Sequence, residues 1–256
     1  MDGPLLIARI ASLDGKIIHD ESCERSQNNW RRDGHCFDIG ITTRSALATY
    51  AATKDALASG IPSEEASGNG SIMRLAPVPI RYAHLYPNQI GELSRLAGES
   101  SLPTHASDQC ISACRYLAIV LAALIHGEVR EIVLSPDWRP LQQLDEERPL
   151  HPLILEVARG SFREKQPRAI QGSGWVVKSL EASLWAFHNA ASFEEAVLRA
   201  VNLGDDADTT GAICGQLAGA YWGELKIPES LRSGLARGDL LENALAGILV
   251  GIWSQN

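Results

Sequence analysis

The 256-residue chain has few cysteines, no excess of positive charge and no long apolar run, and each shortage excludes something. The five cysteines are Cys23, Cys36, Cys110, Cys114 and Cys214. An odd, scattered set is not a disulfide framework, and it fits a reducing, cytoplasmic compartment. Cys110 and Cys114 lie at helical spacing with no zinc-type His or Cys cluster beside them, so they read as core thiols. Acidic residues outnumber Lys and Arg by 31 to 23, giving a formal charge of −8. That balance argues against nonspecific partnership with nucleic acid or an anionic membrane. The longest uncharged apolar stretch, Tyr116 to Ile125, is about half a membrane span. The first residues carry no basic region leading into a signal-type core, so export is not expected. Internal repeats, low-complexity tracts and a dividing linker are also lacking.

What remains is helical periodicity. Helices are predicted over Thr42 to Ala58, Asp108 to His126, Pro152 to Ala158, Trp175 to Asn189, Ser192 to Asn202, Asp208 to Trp222 and Asp239 to Trp253. Gly127 supplies a stop after the second, and Ser192 with Glu195 forms a capping box at the fifth. Strand candidates are few; Glu131 to Leu134 is one. Pro136 to Pro149 and Gly160 to Gly174 read as surface excursions. The prediction is a single all-α domain over 1–256, a compact helical bundle.

The segment GDDADTT, Gly204 to Thr210, carries the most chemistry. Three carboxylates and two hydroxyls fall within six residues, an oxygen-rich set suited to Mg2+ or Ca2+. Asp and Thr also cap helices, and acidic first turns suit the helix dipole. Both readings stand on local pattern, although three Asp in four positions exceed what a cap needs. Behind them Gly211, Gly215 and Gly219 recur every four residues on one helix face. Each interior glycine costs a helix about 1 kcal/mol against alanine, and the stripe predicts close approach of another backbone.

Three further features are weaker. The loop Ser67-Gly68-Asn69-Gly70-Ser71 can converge backbone N–H groups on an anion, or be a simple turn. His105, next to Thr104, is a structural histidine or a ligand contact. Asp38, between Phe37 and Ile39, is a cap or a partly buried base.

Taken together, FDIGITT (37–43), GNGSIMRLAP (68–77), Thr104-His105, GSGWVVKSLEASLW (172–185) and VNLGDDADTT (201–210) resemble the ADP-ribosylglycohydrolase family, in family order. The resemblance implies an all-α orthogonal bundle. It implies hydrolysis at the ribose anomeric carbon of an ADP-ribosylated protein or an ADP-ribose-containing small molecule. The implied cofactor is Mg2+, or Mn2+ in some members, as one or two ions. By motif position Asp206, Asp208 and Thr209 are metal ligands, and Asp206 is also catalytic. Gly68, Asn69, Gly70, Ser71 and Met73 line the diphosphate and ribose, and His105 touches the ligand. Trp175 lies near the adenine. Asp38 lies near the distal ribose as a proton acceptor. The family often has Asn where this chain has Ile41. Members usually open with GDALG, a glutamate and then TDDT, which supplies the other half of the metal site. Met1, Asp2 and Gly3 align within TDDT, so the resemblance implies an N-terminally incomplete domain, with Asp2 as a metal ligand and weakened metal affinity. An impaired ADP-ribose binder, or a structural, crystallin-like relative, is the alternative reading.

Overall fold

A computed structural model of the chain describes residues 39–233 and 242–248. Twelve named α-helices lie among these residues, and no strand. In chain order they are α1 Ile41–Thr53, α2 Gly70–Met73, α3 Pro77–Arg81, α4 Ile90–Ser101, α5 Asp108–Ile125 and α6 Arg130–Val133. There follow α7 Arg139–Glu147, α8 Pro152–Ala158, α9 Val176–His188, α10 Phe193–Val201, α11 Ala207–Trp222 and α12 Glu229–Ser233. Three isolated bridges take the place of a sheet, and two of them serve the site described below.

Helix α5 is the axis. It is apolar on nearly every side, which a helix tolerates only when surrounded. Among its side chains Tyr116, Leu117, Ile119 and Val120 are fully buried. It packs against α2, α3, α4, α6, α7, α8, α9 and α11. It also has the length and hydropathy of a membrane-spanning helix, but 83% of that window lies inside the protein. Ser107 starts it, accepting from the Cys110 N–H at 3.3 Å. Gly127 ends it at φ +84°, while the Glu128 N–H reaches the Ala123 carbonyl at 3.0 Å. That left-handed stop is the signal the sequence carried. Burying a Leu or Ile side chain contributes about 1.5–3 kcal/mol, and α5 buries more apolar side chains than any other described helix. Helices α9, α10 and α11 form a second packed group against it.

Four sequence expectations are corrected. Glu131 to Leu134 is not a strand; it falls largely in the single turn α6. The supposed excursion over 136–149 contains α7, held by buried Leu141 and Leu144. The first helix ends at Thr53, short of Ala58, because Lys54 turns left-handed (φ 59°) and Asp55 accepts from the N–H groups of Leu57 and Ala58. Among the described residues the glycine stripe is close-packed at one end only. A Cβ on Gly211 would lie 2.7 Å from Val201 Cγ1, whereas at Gly215 and Gly219 it would meet no described atom within 4 Å. Those two glycines instead border an apolar groove of about 410 Å3, shared with Pro79, Ile80, Leu121 and Ile125. The last predicted helix overlaps the helical stretch 242–248; the rest of it lies outside the described residues.

Candidate active site

The small-residue loop is pinned on both flanks. The Val176 N–H donates to the Ser67 carbonyl at 2.9 Å, and the Asn69 N–H to the Gly174 carbonyl at 3.0 Å. Gly68 and Trp175 thereby face each other in an antiparallel bridge. The Ser67 hydroxyl meets Ser107 at 2.8 Å, and the Cys110 thiol donates to the Gly68 carbonyl at 3.2 Å. The loop is thus tied to the starts of α5 and α9. Gly70, Ser71 and Ile72 open α2, so their N–H groups have no helical partner four residues back.

The acidic turn approaches from the other side. Gly204 (φ 75°) and Asp205 (φ 55°) take left-handed conformations, and the Asp206 N–H then donates to the Gly172 carbonyl at 2.7 Å. A Cβ at residue 172 would sit 3.1 Å from the Gly204 carbonyl and 3.2 Å from Thr210 Oγ1, so the turn relies on glycine there. Asp206 occupies the N-cap position of α11 without making a side-chain cap. Its Oδ2 instead accepts from Asn69 Nδ2 at 2.6 Å. The same amide donates to Ser179 Oγ on α9 at 3.1 Å. Asn69 is buried, and its one side chain joins α2, α9 and α11. Asp208 is exposed in the first turn of α11, where its charge suits the helix dipole. Thr209 is buried beside it.

His105 lies under the loop. A Cβ on Gly70 would be 2.8 Å from its Cε1, and one on Gly68 3.2 Å from its Nε2, so the glycines make room for the ring. Burial, reinforced by the nearby Arg74 charge, pushes its pKa down to about 3, so the ring is neutral. Its Nδ1 lies 2.7 Å from Thr104 Oγ1. Trp175 precedes α9 and is 38% exposed, with Nε1 donating to Gln109 Oε1 at 2.7 Å. Met73 is 43% exposed, and its carbonyl accepts from Gln216 Nε2 at 2.8 Å.

The structure therefore brings Asn69, Asp206, Trp175 and His105 around one loop. Asp2 and Asp38 lie outside the described residues. Sequence reasoning missed Ser179, Gln109 and Arg74. Ser179 stands four residues after Trp175 and so shares its helix face. Gln109, in the first turn of α5, carried no comparable signal. Carboxylate and hydroxyl oxygens suit a hard cation. Among the described residues, however, no three His, Cys, Asp or Glu side chains gather into a metal-holding group. Asp206, Asp208 and Thr209 offer carboxylate and hydroxyl oxygens at the start of α11, the donor chemistry such a cation takes.

This all-α arrangement has recognisable kin. A profile of the ADP-ribosylglycohydrolase family matches residues 5–256, and the chain belongs to that family. It is 35% identical over 211 residues to ADP-ribosylarginine hydrolase Tri1 of Serratia proteamaculans, covering 82% of this chain and 54% of that protein. The Tri1 protein of Pseudomonas putida is 38% identical over 200 residues, covering 77% and 49%. The ADP-ribosyl-[dinitrogen reductase] glycohydrolase of Rhodospirillum rubrum is 27% identical over 198 residues, covering 77% and 60%. The chain thus spans about half the length of the Tri1 proteins it matches. A solved ADP-ribosylglycohydrolase-related protein complex superposes with a TM-score of 0.69 at 32% identity, over 95% of this chain and 80% of that one.

Proposed function

We propose that the chain is the working part of a hydrolase that releases ADP-ribose by cleaving the glycosidic bond at the ribose anomeric carbon, with ADP-ribosylated arginine in a protein as its substrate class. The observation that carries this reading is the 2.6 Å contact between Asn69 and Asp206. It joins a loop suited to phosphate to a turn suited to a cation, in a chain of this family. The arginine linkage rests on the two relatives named for it. A small-molecule ADP-ribosyl conjugate would use the same bond chemistry. A single domain and the absence of nucleic acid and membrane partners belong to the same reading, the latter supported by the formal charge of −8; so does a cytoplasmic setting, supported by the free, buried thiols of Cys110, Cys114 and Cys214.

In this reading the residues divide the work by chemistry. The N–H groups opening α2 bind diphosphate oxygens and orient the reacting carbon. The Trp175 face, held edge-on by Gln109, stacks on adenine. Neutral His105 donates a hydrogen bond, and Met73 covers the ribose. Asn69 holds one oxygen of Asp206, leaving the other free to align water. Asp38 takes the proton from that water or from a ribose hydroxyl. Asp206, Asp208 and Thr209, with Asp2, would hold one or two Mg2+ or Mn2+ ions, which when bound would orient the ribose hydroxyls and lower the pKa of the attacking water ahead of the oxocarbenium-like transition state.

The test is release of free ADP-ribose from an ADP-ribosylarginine peptide by the full chain with Mg2+ or Mn2+. Wild type is expected to turn over and Asp206→Ala to be inactive. A wild type that releases nothing, or a variant that turns over undiminished, overturns the proposal.

A further inference from the structure

Thr104 joins a cation to an imidazole. Its Oγ1 lies 2.6 Å from an Arg74 guanidinium nitrogen and 2.7 Å from His105 Nδ1. A guanidinium only donates, so the hydroxyl accepts from Arg74 and has one proton left to give. Thr104 is buried, and its other polar neighbour among the described residues is His105 Nδ1. Were Nδ1 protonated, it would compete with Arg74 for the same oxygen, and the hydroxyl proton would be buried with no acceptor. One arrangement satisfies every group: Arg74 donates to Thr104, Thr104 donates to Nδ1, and the neutral ring carries its proton on Nε2. Arg74 is held in turn, donating also to the carbonyls of Gly70 and Ser100 at 3.4 Å each.

Nε2 lies against the glycine loop, 3.2 Å and 3.1 Å from where a Cβ on Gly68 or Gly70 would stand. It has no hydrogen-bond partner among the described residues. We propose that Arg74 and Thr104 are positioning residues that lock His105 as its Nε2–H tautomer, making it a fixed neutral donor to an oxygen of the bound ADP-ribosyl group. The identity of that ligand rests on the function proposed above; the tautomer is a property of the free chain.

The experiment is long-range 1H–15N correlation on the 15N-labelled full chain, with the ring assigned through His105→Gln. A pyrrole-type Nε2 and pyridine-type Nδ1 are expected in wild type and in Thr104→Ser. Thr104→Val is expected to lose the single tautomer and to bind ADP-ribose about tenfold more weakly, an effect of about 1.4 kcal/mol. A protonated Nδ1 in wild type overturns the relay, and so do unchanged ring shifts in Thr104→Val. If Thr104→Val fails to fold, the wild-type and Thr104→Ser spectra still decide. Correct ring shifts without ADP-ribose binding by wild type uphold the relay and overturn the ligand assignment.

Discussion

Asn69→Ala is the most informative single change. The side chain gives one hydrogen bond to a carboxylate at 2.6 Å and one to a hydroxyl at 3.1 Å, while its backbone contacts survive the substitution. A hydrogen bond to a charged group contributes about 1.5–3 kcal/mol. Asp206 is only half-buried and can partly rehydrate, which favours the lower half of that range. Ser179 is fully buried and loses its donor. A loss of about 2 kcal/mol follows, or about 4–8 °C in Tm for a chain of this size. Asn69→Asp tests the same contact through charge. Two carboxylates at hydrogen-bonding distance raise the pKa of the pair, since both cannot easily ionise. The penalty is therefore present above the raised pKa and relieved as pH falls through it. Scanning calorimetry at pH 5 and pH 8 reads both effects, and ADP-ribose release reads the site. Asn69→Ala with unchanged Tm and unchanged turnover would refute the claim that this amide holds the acidic turn to the loop.

Gly70→Ala would place a Cβ 2.8 Å from His105 Cε1, and ADP-ribose affinity is expected to fall at least tenfold; unaltered affinity in calorimetry counts against a ring beneath the loop. Because the His105 pKa is lowered to about 3 in the folded state, the unfolded chain binds its proton first, so stability drains as pH falls from about 6.5 towards 3; His105→Gln should flatten that limb of the stability curve. Burial raises the Cys110 and Cys214 thiols to about 12, and it raises Cys114 as well, so all three should resist iodoacetamide at pH 8 in the native chain, read peptide by peptide in a mass spectrometer. Gly211→Ala is expected to destabilise through Val201, whereas Gly215→Ala and Gly219→Ala should each stabilise by about 0.4–1 kcal/mol; urea unfolding of the three variants checks the order.

Much of the helical frame could be read from the chain because its signals were local. Ser192 accepts from the Glu195 N–H at 3.1 Å, as its capping pattern required. The predicted α8 matches residue for residue, with Pro152 at its start. Other local signals were present and went unread. In α4, Ile90, Leu93, Leu96 and Ala97 follow helical spacing. In α7, Pro140 sits in the first turn and Leu141 and Leu144 lie three apart. The run Glu131 to Leu134 is short and apolar, a pattern that does not distinguish strand from buried helix. The glycine stripe misled for a different reason. Small residues at four-residue spacing permit close approach without requiring it, and among the described residues only Val201 uses the permission. Gln109 shows the limit on the site: its role depends on Trp175, 66 residues away.

The distances along the chain explain why the site behaves as one unit. Asn69 reaches Ser179 across 110 positions and Asp206 across 137. Nothing in the loop alone sets the Asn69 rotamer, and nothing in the acidic turn alone directs the Asp206 carboxylate away from its own helix N-terminus. Each is set by the packing of α2, α9 and α11 around α5. Gln216 adds a second tie, donating from α11 to the carbonyls of Ile72 and Met73 at 3.0 and 2.8 Å. Helix α11 therefore carries the acidic turn at its start and fixes the end of the glycine-loop helix two turns later. A shift of α11 moves the acidic turn and the glycine-loop helix together, which preserves the spacing between them.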